Sequence, residues 1–186
     1  DEVIEVRAPA APVPVDHSRP RTLPLAQAQL AHWYLLRRGM SYMCPCLLRL
    51  RARVDPDALV AALDDVFNRH EVPWMHLDLA HPQMHRADAR MCNVTHMDLT
   101  RLDAEGARYQ VLSRIRRTAA EPFKNRSPTI SVFLAQVAHD DWYVGMVAPH
   151  ALVDGHSLQL LARELHDTYL ARLDGRVFAP PLPMSI

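Results

Sequence analysis

Apolar positions along this chain switch between two periods, and the switches mark its elements. Leu59, Leu63, Val66 and Phe67 form one stripe at helical spacing. Asp55 stands where it caps that stripe and Pro56 suits the first helical position, so a helix is predicted up to about His70. Asp103 caps a second predicted helix, which carries Val111, Leu112, Ile115 and Ala119 and stops before Pro122. A third runs from Ser157 to Leu173 with Leu158, Leu161, Leu165 and Tyr169 on one face and a stop at Asp174-Gly175. Leu25 to Leu36, rich in Ala, Gln and Leu, predicts a short apolar helix.

Elsewhere the strand signals dominate. Cys46 to Val54 sets Leu48, Leu50 and Ala52 against Arg49, Arg51 and Arg53, the pattern of a half-buried strand. Trp74 to Leu79 and Gln83 to Arg86 predict short strands around a turn at His81-Pro82, after a break at Pro73. Ala87 to Leu102 reads as irregular. Thr129 to Val137 and Trp142 to Val147 are apolar runs joined by His139-Asp140-Asp141, a predicted hairpin. Residues 1 to about 22 contain Ala8-Pro9-Ala10-Ala11-Pro12-Val13-Pro14 and read as an extended linker, and the tail from Phe178 is again rich in proline. Amphipathic helices with about five strands imply an α/β fold, a two-layer sandwich with a mixed sheet covered by helices.

Composition narrows the function classes. A chain of 186 residues with 49% hydrophobic and 23% charged content holds one globular domain with a core of its own. Lys+Arg and Asp+Glu both number 21, and a balanced charge argues against nucleic acid as a partner. No apolar run approaches the roughly 20 residues of a bilayer span, and the acidic, proline-rich start has no signal-peptide pattern, so the expected location is cytoplasmic. Cys44, Cys46 and Cys92 make no disulfide framework, and alternation sends Cys44 and Cys46 to one face of a strand. His76, His81, His85 and His96 lie near the predicted turn, but no Cys/His spacing fits a zinc site, so no metal is expected.

Candidate chemistry concentrates where the predicted hairpin runs into Pro149-His150-Ala151-Leu152-Val153-Asp154-Gly155-His156-Ser157. A histidine at the end of a buried strand, just before a helix, is presented to a cleft by a rigid scaffold, and histidine is the usual general base near neutral pH. Asp154 is close enough to fix the turn through backbone amides or an arginine, and Gly155 suits a special backbone angle or a close approach. Spacing alone favours a plainer reading, in which Asp154 and Ser157 cap the last helix and His150 fills space. Trp33, Trp142 and Tyr169 read as core aromatics, and His166 as a position on the last helix.

PHALVDG resembles the HHxxxDG signature of condensation domains of nonribosomal peptide synthetases, and the HxxxD signature of the wider CoA-dependent, chloramphenicol acetyltransferase-like superfamily. Other segments resemble the same family in the same order. Pro24-Leu25-Ala26-Gln27-Ala28-Gln29 with Trp33-Tyr34-Leu35 is similar to PLSxAQxxLWxL. Val54-Asp55-Pro56-Asp57-Ala58-Leu59 with Arg69-His70-Glu71 is similar to LDxxAL…RHExLR, and Glu121-Pro122-Phe123 with Pro128 to PFDLxxxPL.

The resemblance implies that His150 acts on the attacking nucleophile, that Asp154 holds the loop through a salt bridge, and that Gly155 lies beside the path of a phosphopantetheine arm. His156, Ser157 and Trp74 become candidates for lining the substrate tunnel. Pro149 replaces the first histidine of the signature, Trp74 stands where the arginine partner of Asp154 is expected, and Lys124 replaces the aspartate of PFDL.

Condensation domains have two lobes, so the resemblance implies residues 23–175 as the N-terminal lobe and 176–186 as the crossover to a second one. The implied activity is acyl transfer from a carrier-protein thioester to a carrier-bound amine, with phosphopantetheine (or CoA) as carrier of the substrate and no cofactor of its own. The implied partners are carrier proteins and the second lobe, and the isolated lobe is expected to be inactive. A related acyltransferase that makes an ester or uses acyl-CoA is the first alternative. A non-catalytic lobe that docks a carrier protein or synthase module is the second.

Overall fold

The structure, a computed structural model, describes residues 4–5, 22–125 and 127–178. Its main sheet has five strands in the order β1 (Ile4–Glu5), β6 (Cys92–Asp98), β7 (Ile130–Ala138), β8 (Asp141–Pro149) and β3 (Met43–Leu50). A smaller sheet joins β2 (Thr22–Pro24), β5 (Gln83–Arg86) and β4 (Met75–Asp78). Every pairing is antiparallel except that of β6 with β7. Parallel strands need a crossover, and α3 (Ala104–Ala120) supplies it.

The helices follow from local rules. α2 (Pro56–Arg69) starts where Asp55 Oδ1 accepts the amides of Asp57 and Ala58, each at 3.0 Å. It buries Leu59, Ala62, Leu63, Val66 and Phe67, the stripe that the sequence predicts. α4 (Gly155–Leu173) packs beside it with Leu158, Leu161, Ala162, Leu165 and Tyr169. Together they cover the face made by Val144, Met146 and Ala148 of β8, Ile130, Val132 and Leu134 of β7, and Cys44 of β3. Glu164 of α4 locks the pair, with Arg69 Nε 2.7 Å from Oε1 and His70 Nε2 2.8 Å from Oε2. The Arg69-His70 step of the RHE segment is thus a clamp between helices.

The expected mixed sheet covered by helices is present, with the helices shared between its two faces. α3 lies opposite α2 and α4, where Ala107, Val111 and Ile115 meet Phe133, Ala135, Tyr143 and Val147. β8 therefore has helices over both faces, which is why its sequence reads as one apolar run rather than an alternation. α1 (Gln27–Arg37) packs on the small sheet instead. Leu25, Trp33 and Leu36 meet Met75, Leu77 and Met84, and the Trp33 indole donates to the Asp78 carbonyl at 2.7 Å.

Four expectations need correction. The stretch from Ala87 to Leu102 is not irregular: it contains β6, held by β7 on one side and β1 on the other. The strand expected at Cys46 to Val54 occupies Met43–Leu50, because its partner β8 begins near Trp142, opposite Leu50. Trp74 closes a 3-10 turn, Val72–Trp74, and β4 starts one residue later. Leu25 precedes α1, and Thr22–Pro24 is a strand of the small sheet. The linker expected at 1–22 lies outside the described residues apart from Ile4–Glu5, which pair with β6, and Thr22; the crossover at 176–186 lies outside them beyond Phe178.

Candidate functional site

The candidate site forms where β8 ends. Pairing of β3 with β8 runs to Met43 opposite Pro149, and the His150 amide extends it by donating to the Tyr42 carbonyl at 3.0 Å. The Pro149 carbonyl then accepts two amides, from Leu152 at 2.9 Å and Val153 at 3.2 Å, which folds the chain into a tight turn. Ala151 and Leu152 sink into the cluster beneath α1, while Val153 sinks into the cluster beneath α2 and α4. The turn is anchored on both sides, so His150 has a fixed backbone position.

Three rings meet there. The imidazoles of His32, on α1, and His150 lie 4.4 Å apart between centroids and tilted by 44°. Tyr42 stacks on His32 at 5.0 Å and 20°, and meets His150 at 5.3 Å and 33°. The His150 ring is half-buried, and its Nδ1 atom is buried without a hydrogen-bond partner among the described residues.

Asp154 caps α4. Its Oδ1 accepts the Ser157 amide and the Ser157 hydroxyl, both at 2.7 Å. These two bonds, amide first, hold its carboxyl below the usual carboxylate range; burial opposes them, and His156 and His150 add a smaller pull in the same direction. The groups acting on this carboxylate among the described residues include no arginine, so the salt bridge implied by the family pattern is replaced by a serine cap. We expect Asp154→Ala to cost about 1 kcal/mol, the usual value of an N-cap. Because the folded-state carboxyl is depressed, this contribution is complete above the unfolded value near pH 4 and fades as the pH falls through the folded value. Urea midpoints of both proteins against pH will check this: the gap should close in acid.

The other expected residues divide. Pro149 is buried and shapes the turn, His156 is exposed on the first turn of α4, and the Ser157 hydroxyl is occupied by Asp154. Gly155 has an ordinary φ and nothing within 4 Å of where a Cβ would stand, so the fold of this chain does not require a glycine there. That corrects the expectation of a special backbone angle or a close approach within the chain. Trp74 is 7% exposed and its indole donates to the Phe67 carbonyl at 3.1 Å, which makes it a packing residue without an open wall. The ring neighbours His32 and Tyr42 are absent from the sequence reading, and no spacing signals them, since their approach depends on tertiary packing.

The remaining candidates separate in space. His81 and His85 face Asp78 on the small sheet, at 3.0 and 3.5 Å, while His96 of the main sheet stacks flat on Trp142. Among the described residues no three His, Cys, Asp or Glu side chains are placed to hold a metal ion. Burial pushes the Cys92 thiol up to about 11 and raises Cys44 and Cys46 as well, so all three stay protonated near neutral pH. No helix among the described residues is long and apolar enough to cross a membrane.

Comparison with known proteins decides the family. Residues 20–183 match the family model described as Condensation domain. The chain belongs to the condensation domain family. Cyclosporin synthetase simA of Tolypocladium inflatum is 32% identical over 190 residues, spanning 96% of this chain and 1% of that protein. The dimodular nonribosomal peptide synthase of Bacillus subtilis (strain 168) is 28% identical over 190 residues, spanning 93% of this chain and 7% of that protein.

Among solved condensation domains, the starter domain of rhizomide synthetase RzmA in a product-released conformation superposes with a TM-score of 0.77 at 19% identity, over 86% of this chain and 38% of that one. VibH, a condensation enzyme of nonribosomal peptide synthesis, gives 0.72 at 18%, over 84% and 37%. These likenesses establish the fold. The chain spans 1% to 7% of the length of the curated relatives it matches and less than half of the solved condensation domains.

Proposed function

We propose that this chain forms the N-terminal lobe of a condensation domain and supplies its catalytic histidine. The complete protein then joins a carrier-tethered acyl group to a carrier-tethered amine as an amide. The observation that carries this reading is His150, half-buried at the open end of β8 on a doubly anchored turn, with the Asp154 carboxylate four residues on. As the amine nitrogen attacks the thioester carbonyl, the N–C bond forms and the C–S bond breaks. His150 takes the proton from the nitrogen, or orients the amine and stabilises its developing charge, and the thiol leaves on its phosphopantetheine arm with a proton.

The open space at Gly155 supports an arm passing beside the first turn of α4. Pro149 in place of the first histidine is compatible with this reading, because that position shapes the turn and its carbonyl, not its side chain, makes the bonds. The reading places the protein in the cytoplasm with carrier proteins as partners and with a second lobe closing the tunnel. An isolated first lobe leaves the site open to water and transfers poorly.

A second reading uses free acyl-CoA as donor. It is favoured by the match, with a TM-score of 0.74 and 21% identity, to a rhizomide synthetase starter domain in complex with C8-CoA. The complete protein should be supplied in parallel with acyl-loaded carrier protein and with free acyl-CoA, together with an amine-loaded carrier, and the products read by mass. Amide formed from the carrier-bound donor is the expected result. Turnover of acyl-CoA alone supports the second reading, and carrier binding without turnover from either donor points to a docking lobe.

A further inference from the structure

We infer that His32 is a positioning residue for His150, a role that rests on the catalytic reading of His150 proposed above. A general base ordinarily has one ring nitrogen bonded to a partner that fixes its orientation while the other meets the substrate. His150 lacks that partner: its Nδ1 is buried and makes no hydrogen bond among the described residues. Nor does the preceding residue help, since Pro149 has neither an N–H nor a polar side-chain atom to offer. What confines the imidazole is packing, because the terminal torsion of a histidine is broad and stays so unless neighbours narrow it.

The neighbours are His32 and Tyr42, and both are held on rigid elements. Tyr42 immediately precedes β3, and its carbonyl accepts the His150 amide, which fixes its backbone beside the turn. His32 is carried by α1, whose next residue, Trp33, is buried and hydrogen-bonded to the Asp78 carbonyl, and whose Leu36 is 1% exposed. The helix therefore presents His32 from a fixed distance. The two rings stack on each other, 5.0 Å apart and 20° from parallel, and together form a wall along His150 at 4.4 and 5.3 Å. Two planar rings packed at a tilt against the imidazole limit its rotation where no hydrogen bond does.

This arrangement makes a separable demand on kinetics. A loosely held base loses its geometry for attack before the protein loses its substrate, so the effect falls on kcat and not on KM. His32→Ala in the complete protein is expected to lower kcat by about 10-fold with KM changed by less than about twofold. His32→Phe keeps the flat ring and should recover most of that loss. Should His32→Ala melt early, His32→Leu takes its place, since it fills the volume without a flat ring.

His150→Ala is measured alongside. Loss of turnover in His150→Ala together with a kcat-specific loss in His32→Ala or His32→Leu, recovered in His32→Phe, supports the inference. Loss in His150→Ala with His32→Ala or His32→Leu at full kcat overturns it and leaves the site reading standing. A KM rise in the His32 variants at unchanged kcat also overturns it, because His32 would then be touching substrate. Unchanged turnover in His150→Ala overturns both.

Discussion

His150→Ala is expected to lower transfer by the complete protein about 100-fold or more, the scale of a lost general base. Nδ1 is buried, so the remaining nitrogen, Nε2, is the one that a nucleophile can reach in a ring that is half-exposed. Alanine removes that nitrogen and the ring's contacts with His32 and Tyr42, but the turn stays: it is held by the Pro149 carbonyl, the His150 amide and the anchors at Leu152 and Val153, none of which involves the imidazole. Stability should change little, because the ring contacts that are lost are offset by the removal of a buried nitrogen without a partner. A fall in turnover at unchanged melting temperature is thus the signature. His150→Gln divides the two chemical roles, since an amide can orient an amine but cannot accept its proton. If Gln keeps turnover within about 10-fold of the parent, orientation outweighs proton transfer at this site. Undiminished turnover in His150→Ala would remove the residue from the mechanism.

Which parts of this molecule were legible in sequence depends on how local their causes are. α2 was legible because its cap, its proline and its stripe all sit within 14 residues. The β7–β8 hairpin was legible because two apolar runs flank a polar turn. β6 was not, because Cys92-Asn93-Val94-Thr95-His96-Met97-Asp98 has weak alternation and owes its strand state to the neighbours on either side. β3 was displaced for a related reason: its basic alternation continues to Arg53, but the strand stops where β8 offers no more partners.

The candidate site divides in the same way. His150 and Asp154 stand four positions apart, so a family pattern finds them together. His32 lies on a helix that packs against a different sheet, and only the burial of Trp33, Leu36 and Leu152 in one cluster brings it to His150. Asp154 shows the limit of pattern matching. Its position was legible, its partner was not, because a serine three residues later replaces an arginine that the pattern places on another element.

Gly145→Ala is expected to cost about 3 kcal/mol, the upper part of the range for overpacked cores. Gly145 lies on β8, directly opposite Phe133 of β7. A methyl at this position would stand 2.1, 2.2 and 2.8 Å from three carbons of the Phe133 ring. The ring cannot simply swing aside, since Phe133 is 2% exposed and lies in the cluster with Ala135, Tyr143, Val147, Val111 and Ile115. Either the ring leaves its rotamer into occupied space or the two strands move apart, and both lose contact on the α3 face of the sheet. For a domain of this size the cost corresponds to a fall of roughly 6–12 °C in melting temperature. Phe133→Leu in the Gly145→Ala background should restore part of the loss, a non-additivity that two independent sites would not show. The consequence reaches the site because β8 continues from Gly145 through four more residues to His150. A strand shifted to relieve Phe133 also shifts the turn that fixes the imidazole, so turnover should fall with stability here, in contrast to His150→Ala, where it falls alone. An unchanged melting temperature in Gly145→Ala would mean that the ring and the strand do not meet as the structure places them.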